Sequence, residues 1–265
     1  MNNKTNPIAF LDSGLGGLSV YSEFTRKLPF ENTIYFADLK HLPYGNKSEK
    51  ELINISRKIF DFLKEQNIKA LVIACNTLSA VVYDVLKSEY DFKIYPILQI
   101  FSKIISYKGY NKIGIFATKA TVNSGAYRNN LKKFNKNISV LELVCSDWVD
   151  FIEFNKLNTK KAKDDFREKM ETMLKFQPEK IILGCTHYPI IINYFIRTEE
   201  AKKYFLNPSK EFINYIISDL KASNYINENN IKACNKFYAT DNFNNFSKNA
   251  KLFYEIEENP ILLNL

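Results

Sequence analysis

Ala70-Leu71-Val72-Ile73-Ala74-Cys75-Asn76-Thr77 and Lys180-Ile181-Ile182-Leu183-Gly184-Cys185-Thr186-His187 share one plan: a short apolar run, a cysteine, then polar groups. Runs this short and this uniformly apolar fit strands buried on both faces, as in a parallel sheet. Each cysteine then falls at a strand's carboxyl end, where open α/β sheets bind ligands. The upstream context repeats as well. The strand Ile8–Leu11 ends in Asp12-Ser13 and the strand Lys112–Phe116 ends in Ala117-Thr118. The separation from Asp12 to Cys75 nearly matches that from Thr118 to Cys185. Two related α/β units facing one cleft are the economical reading.

Working outward, Ile8–Leu11, Thr33–Phe36, Ala70–Ala74, Lys93–Ile97, Lys112–Phe116, Val140–Val144 and Lys180–Leu183 read as buried strands. Between most of them lie stretches of helical length or period: Leu18–Lys27, Lys50–Gln66, Ser79–Lys87, Asn123–Phe134, Thr159–Phe176 and Pro189–Phe195. This alternation predicts an α/β fold of two similar domains, with mainly parallel sheets related by a pseudo-twofold. Residues 1–97 with 209–265 are expected to form the first domain and 98–208 the second. A strand near Lys236–Thr240 is expected to return to complete the first.

Composition narrows the class. No apolar run reaches the roughly 18–20 residues of a membrane helix, and the N-terminus lacks the apolar core of a signal peptide. A cytoplasmic location is expected. The 37 Lys and Arg against 29 Asp and Glu leave a formal charge of +8. Anionic partners are favoured in a general way, but the lysines are dispersed among acids along helices, so a solvated surface is the better reading and nucleic acid an unlikely partner. The four cysteines, Cys75, Cys145, Cys185 and Cys234, include no Cys-x-x-Cys pair. Neither a disulfide framework nor a metal site is expected. Cys145 and Cys234 read as packed thiols. Cys75 and Cys185, at strand ends among polar groups, read as chemical ones, because a nearby cation or helix start favours a thiolate.

The loop Asp12-Ser13-Gly14-Leu15-Gly16-Gly17-Leu18-Ser19 follows a strand and opens a helix, so its backbone N–H groups are expected to approach an anion. A dinucleotide fold competes here, with Asp38 as the ribose-binding acid. Against it, Ser19 stands where the third glycine belongs, and the carboxylate of Asp12 would face a pyrophosphate. Of two histidines, His187 lies two residues from Cys185, and His41 reads as a loop residue. Pro43-Tyr44-Gly45 is a turn whose free amides suit a carboxylate, or an ordinary turn.

Taken in order, Asp12-Ser13-Gly14-x-Gly16-Gly17, Pro43-Tyr44-Gly45, Ala74-Cys75-Asn76-Thr77, Thr118-Lys119-Ala120-Thr121 with Ser124 and Tyr127, and Gly184-Cys185-Thr186-His187-Tyr188-Pro189 resemble bacterial glutamate racemase of the aspartate/glutamate racemase superfamily. His187, at a position where aspartate racemases carry an acid, favours glutamate. The resemblance implies a cofactor-independent racemisation that supplies D-glutamate for peptidoglycan, with no metal and a homodimeric assembly. Cys185 would act on the L enantiomer and Cys75 on the D, with Asp12 beside Cys75, and His187 and Glu153 beside Cys185. Ser13, Pro43, Tyr44, Gly45, Asn76, Thr77, Thr118, Thr121 and Thr186 would bind substrate. Leu78, where Ala is usual, either narrows the pocket or packs its helix. The competing function is a basic nucleic-acid-binding or gyrase-interacting protein built on the same scaffold.

Overall fold

The computed structural model describes residues 3–229, 231–241, 246, 250 and 260–265. Among the described residues ten strands form two sheets: β1 (Ile8–Asp12), β2 (Thr33–Ala37), β3 (Ala70–Ile73), β4 (Lys93–Pro96), β5 (Lys112–Ala117), β6 (Ser139–Val144), β7 (Lys180–Gly184), β8 (Phe205–Leu206), β9 (Asn235–Ala239) and β10 (Ile261–Leu262). One sheet runs β10-β9-β2-β1-β3-β4 and the other β6-β5-β7-β8. Every ladder is parallel. The core order β2-β1-β3-β4 recurs as β6-β5-β7-β8, so the repeat read in the sequence is a repeat of topology. The strand expected near Lys236–Thr240 is β9, which pairs with β2 at the margin of the first sheet.

Alternation along the strands explains how both faces are covered. Ile8 and Phe10 of β1, with Ala70 and Val72 of β3, pack on one side against the Leu18–Lys27 and Ser209–Ala222 helices. Ala9, Leu11, Leu71 and Ile73 pack on the other, against the Glu49–Glu65 helix. That helix starts at a capping box, in which the Ser48 hydroxyl accepts from the Glu51 N–H and the Glu51 carboxylate accepts from the Ser48 N–H. In the second sheet, Phe116, Ile181 and Leu183 meet Trp148 and the Lys160–Phe176 helix, while Ile113, Ile115 and Ile182 meet Phe101, Tyr127 and Leu131.

Two helical expectations and the end of one strand are corrected. The span Ser79–Lys87 is two short helices, Asn76–Val81 and Tyr83–Leu86; the first begins directly after Cys75, and the β-branched pair Val81-Val82, poor in helical propensity, stands at the break. Asn123–Phe134 is likewise divided, into Lys119–Ser124 and Ala126–Phe134, by Gly125 in the left-handed region at φ 62°. Lys93–Ile97 stops as a strand at Pro96, and Ile97 opens a helix to Ser106. A short apolar run does not distinguish a strand from a buried helix. Cys234, expected as a packed thiol, is exposed ahead of β9. Among the described residues no helix is long and apolar enough to cross a membrane.

At the amino edge of the first sheet, away from the strand ends that carry the thiols, lies a buried ion pair. Lys69 Nζ donates to Glu31 Oε2 at 2.7 Å and to the carbonyls of Lys4 and Tyr225 at 2.5 and 2.8 Å. Glu31 Oε1 accepts the Asn227 N–H at 2.7 Å. The pair thus ties the chain's start, the approach to β2, the start of β3 and the segment after the Ser209–Ala222 helix. Lys69→Ala leaves Glu31 uncompensated and is expected to cost about 3–5 kcal/mol. Replacing both partners with Met and Gln should restore part of that loss in urea unfolding. Equal stability of Lys69→Ala and wild type would show the pair to be idle.

Candidate active site

Strand register sets the site. β1 pairs Leu11 with Ile73 and Asp12 with Ala37, so Asp12 and the Ala74-Cys75 extension of β3 emerge at the same carboxyl edge. In the second sheet Ala117 pairs with Gly184, so the next residues, Thr118 and Cys185, emerge together. The two edges face each other across a narrow cleft with about 290 Å³ of atom-free space. Its walls are Ser13, Pro43, Tyr44, Gly45, Cys75, Asn76, Thr77 and Thr118, with Val149, Cys185, Thr186 and His187. Asp12, Thr121 and Glu153, also expected here, stand behind that wall. Val149 was not singled out in the sequence, where a lone valine in a helix carries no chemical signal. Leu78 is buried in the core of the first lobe, so it packs its helix and does not line the cleft.

On the first lobe, burial raises the Cys75 thiol well above its ordinary value, and the Asp12 carboxylate raises it further, against the pull of the Leu78 and Thr77 N–H groups. Asp12 is itself raised by burial, opposed by the charge of His187 and by hydrogen bonds from the Gly14 N–H, the Thr186 hydroxyl and the Gly17 N–H. The Gly14 and Thr186 bonds are 3.0 and 3.2 Å long. On the second lobe, His187 Nδ1 is 3.8 Å from Cys185 Sγ and Nε2 donates to Glu153 Oε1 at 2.6 Å. Burial works against the charged imidazole, but the hydrogen bonds with Cys185 and Glu153 outweigh it and raise His187 well above its ordinary value.

The polar wall is organised by contacts between the lobes. The hydroxyls of Thr77, Thr118 and Thr121 lie within 2.9–3.3 Å of one another. Tyr127 donates its hydroxyl to Asn76 Oδ1 at 2.6 Å, which fixes the amide's orientation. Asn76 Nδ2 is buried with no partner among the described residues, leaving a donor for a ligand acceptor. The Tyr44 hydroxyl donates to Asp38 Oδ2 at 2.5 Å. Asp38 also accepts from Thr240 at 2.7 Å and meets His41 Nδ1 at 2.9 Å. His41 is therefore an anchor of this loop, and the buried Asp38 carboxylate is committed to protein groups, unlike a ribose-binding acid. In the glycine loop, the Gly14 and Leu15 N–H groups meet the carboxylates of Asp12 and Glu153. Cys145 is buried, its Sγ 3.6 Å from the Leu143 carbonyl. Among the described residues no group of three or more His, Cys, Asp or Glu is placed to hold a metal.

Two parallel α/β lobes thus present a thiol each to one shared cleft. The chain belongs to the Asp/Glu/Hydantoin racemase family, whose model matches residues 15–200. It is 33% identical over 247 residues to glutamate racemase from Thermoanaerobacter sp. (strain X514), covering 93% of this chain and 92% of that one. Its fold matches the structure of glutamate racemase from Francisella tularensis in complex with D-glutamate, at TM-score 0.90 and 28% identity over 98% of both chains. It also matches glutamate racemase isoform RacE1 from Bacillus anthracis, at TM-score 0.88 and 26% identity over 99% of this chain and 100% of that one.

The raised His187 has a thermodynamic consequence. A group whose folded value lies above its unfolded one contributes stability that is complete below the unfolded value and lost as pH rises through the folded one. The stability difference between wild type and His187→Asn should therefore be greatest below about pH 6.5, the ordinary imidazole value, and shrink at higher pH. Urea titrations across pH 5.5–9 check this; a difference that grows with pH would contradict the assignment.

Proposed function

We propose that this enzyme interconverts L- and D-glutamate by cofactor-independent two-thiol chemistry, in the cytoplasm and as a homodimer, and supplies D-glutamate for peptidoglycan synthesis. The observation that carries the reading is the placement of Cys75 and Cys185 at equivalent strand ends of two repeated sheets, on the walls of one cleft. The similar glutamate racemases, one of them in complex with D-glutamate, support the substrate. In this reading residues 1–97 with 209–265 form one functional lobe and 98–208 the other.

Inverting a carbon needs a base on one face and an acid on the other, with the roles exchanged for the reverse reaction. Cys185 removes the α-proton of L-glutamate and Cys75 returns one to the opposite face; for D-glutamate Cys75 is the base. His187, oriented by Glu153, exchanges a proton with the Cys185 sulfur. Asp12, raised by burial, is the corresponding partner of Cys75. A carbanion beside a carboxylate is costly, so fixed donors in a site shielded from water must stabilise it. Asn76 Nδ2 and the threonine hydroxyls are suited to that role, with Ser13, Thr186 and the Pro43-Tyr44-Gly45 backbone completing the substrate's polar contacts. Glutamate fits the width of this cleft better than nucleic acid, whose only support is the overall charge.

Cys75→Ala and Cys185→Ala should each abolish racemisation, because a one-sided site cannot return the proton to the other face. Cys145→Ala should keep activity, with a stability loss of about 1 kcal/mol. In deuterated water the inverted product should carry label at Cα, read by mass spectrometry. Full activity in either cleft variant, or inversion without label, would rule out the two-thiol mechanism. Turnover of aspartate in place of glutamate would overturn the substrate.

A further inference from the structure

The proposed chemistry uses Asp12 and Ser13 and leaves the rest of their loop, Gly14 to Gly17, without a function. That loop reaches across the cleft. The Leu15 N–H donates to Glu153 Oε1 at 3.2 Å, and the same oxygen accepts from His187 Nε2 at 2.6 Å. Gly16 lies flat against the next turn of the opposite lobe. A Cβ there would stand 2.6 Å from His187 Nδ1 and 2.8 Å from the Thr186 carbonyl carbon, and closer still to Thr186 Oγ1. Gly16 is not among the glycines with positive φ, so its requirement is space and not backbone freedom. A Cβ on Gly14 would likewise come within 2.7 Å of Glu153 Oε1.

The loop is held from its own side. Tyr35 donates its hydroxyl to the Gly14 carbonyl at 2.8 Å, the Gly14 N–H is held by Asp12 at 3.0 Å, and Ser19 donates its hydroxyl to the Gly16 carbonyl at 2.8 Å. One residue before His187, Thr186 donates to Asp12 across the cleft. His187 is therefore bracketed by Glu153 on Nε2, Cys185 on Nδ1 and the bare Cα of Gly16. We propose that Leu15 and Gly16 are positioning residues for His187: they hold the Glu153–His187 pair against Cys185, so the acid–base side of Cys185 is assembled only where the two lobes meet. This rests on the two-thiol racemase reading, yet part of its test does not.

Gly16→Ala must displace the imidazole or separate the lobes. Its first readout needs no substrate. The chain has two histidines, His41 and His187, so isotope-labelled histidine gives two imidazoles that can be followed through a pH titration by NMR. Next to Cys185, Glu153 and Asp12, His187 should titrate well above the ordinary range in wild type, and Gly16→Ala should bring it down. The second readout is kinetic. Mirror-image substrates have an equilibrium constant of unity, so kcat/KM must fall equally in both directions, by about tenfold to a hundredfold for a displacement near 1 Å. The damage should show its side in the isotope effects, rising with α-deuterated L-glutamate and falling toward one with α-deuterated D-glutamate.

A folded Gly16→Ala protein with a wild-type His187 titration and wild-type isotope effects would overturn the proposal. If Gly16→Ala does not fold, Glu153→Gln and Glu153→Ala decide. The glutamine keeps an oxygen for the Leu15 N–H, so its L-side isotope effect should stay nearer wild type; equal effects in the two variants reject the positioning role. A wild-type protein inert toward both glutamate enantiomers refutes the functional reading instead and leaves the His187 titration to judge Leu15 and Gly16.

Discussion

Four ionisable groups, Asp12, Cys75, Cys185 and His187, crowd one meeting of the two sheets, three on the cleft wall and Asp12 behind it, and each is buried. Charge in such a place is unfavourable unless it is met by opposite charge or by fixed donors. That requirement accounts for much of the architecture around it. Asp12 meets the Gly14 N–H, the Thr186 hydroxyl and the charge of His187; His187 meets Glu153; Glu153 meets the Leu15 N–H. Several of these contacts run from one lobe to the other, so neither lobe could bury its own charges alone.

The same constraint explains why both sheets are wholly parallel. In a parallel sheet all strands end on one edge, so a single register brings several loops to one place. Asp12 and Cys75 emerge together through the β1–β3 register, and Thr118 and Cys185 through β5–β7. Repeating the β2-β1-β3-β4 order in the second sheet then yields two similar thiol edges for the two faces of one substrate. The buried Lys69–Glu31 pair, by contrast, serves the amino edge. There it joins distant segments of chain and leaves the carboxyl edge free for chemistry.

Legibility varied with the range of the contacts involved. The central strands were readable because each is a short apolar run bounded by polar residues. Cys75 and Cys185 stood out because polar pairs, Asn76-Thr77 and Thr186-His187, come directly after them at a strand's end. Helix boundaries failed where local preference was weak or ambiguous: at Val81-Val82, at Gly125, and at Pro96-Ile97, where an apolar run changes from strand to helix. Asp38 looked like a candidate ribose acid and is instead the buried anchor of Tyr44, His41 and Thr240, the last of which lies 202 residues away in the chain. Nothing local in the sequence signals a partner at that distance.

The sequence by itself determined the α/β class, the internal repeat, the two thiols and the ordered motifs, because these depend on periodicity and on residues adjacent in the chain. Tertiary structure decided what each motif touches. The Gly14–Gly17 loop read as backbone that approaches an anion, and only the fold shows Gly14 and Gly16 packed against Glu153, Thr186 and His187 as points of close approach between lobes. Pro43-Tyr44-Gly45 read as a turn with free backbone amides, and only the fold shows that the Tyr44 hydroxyl is anchored on Asp38. Val149 reached the cleft wall through the helix that also delivers Glu153. Such contacts join residues far apart in the chain, and their geometry exists only once both sheets have formed and their carboxyl edges have met.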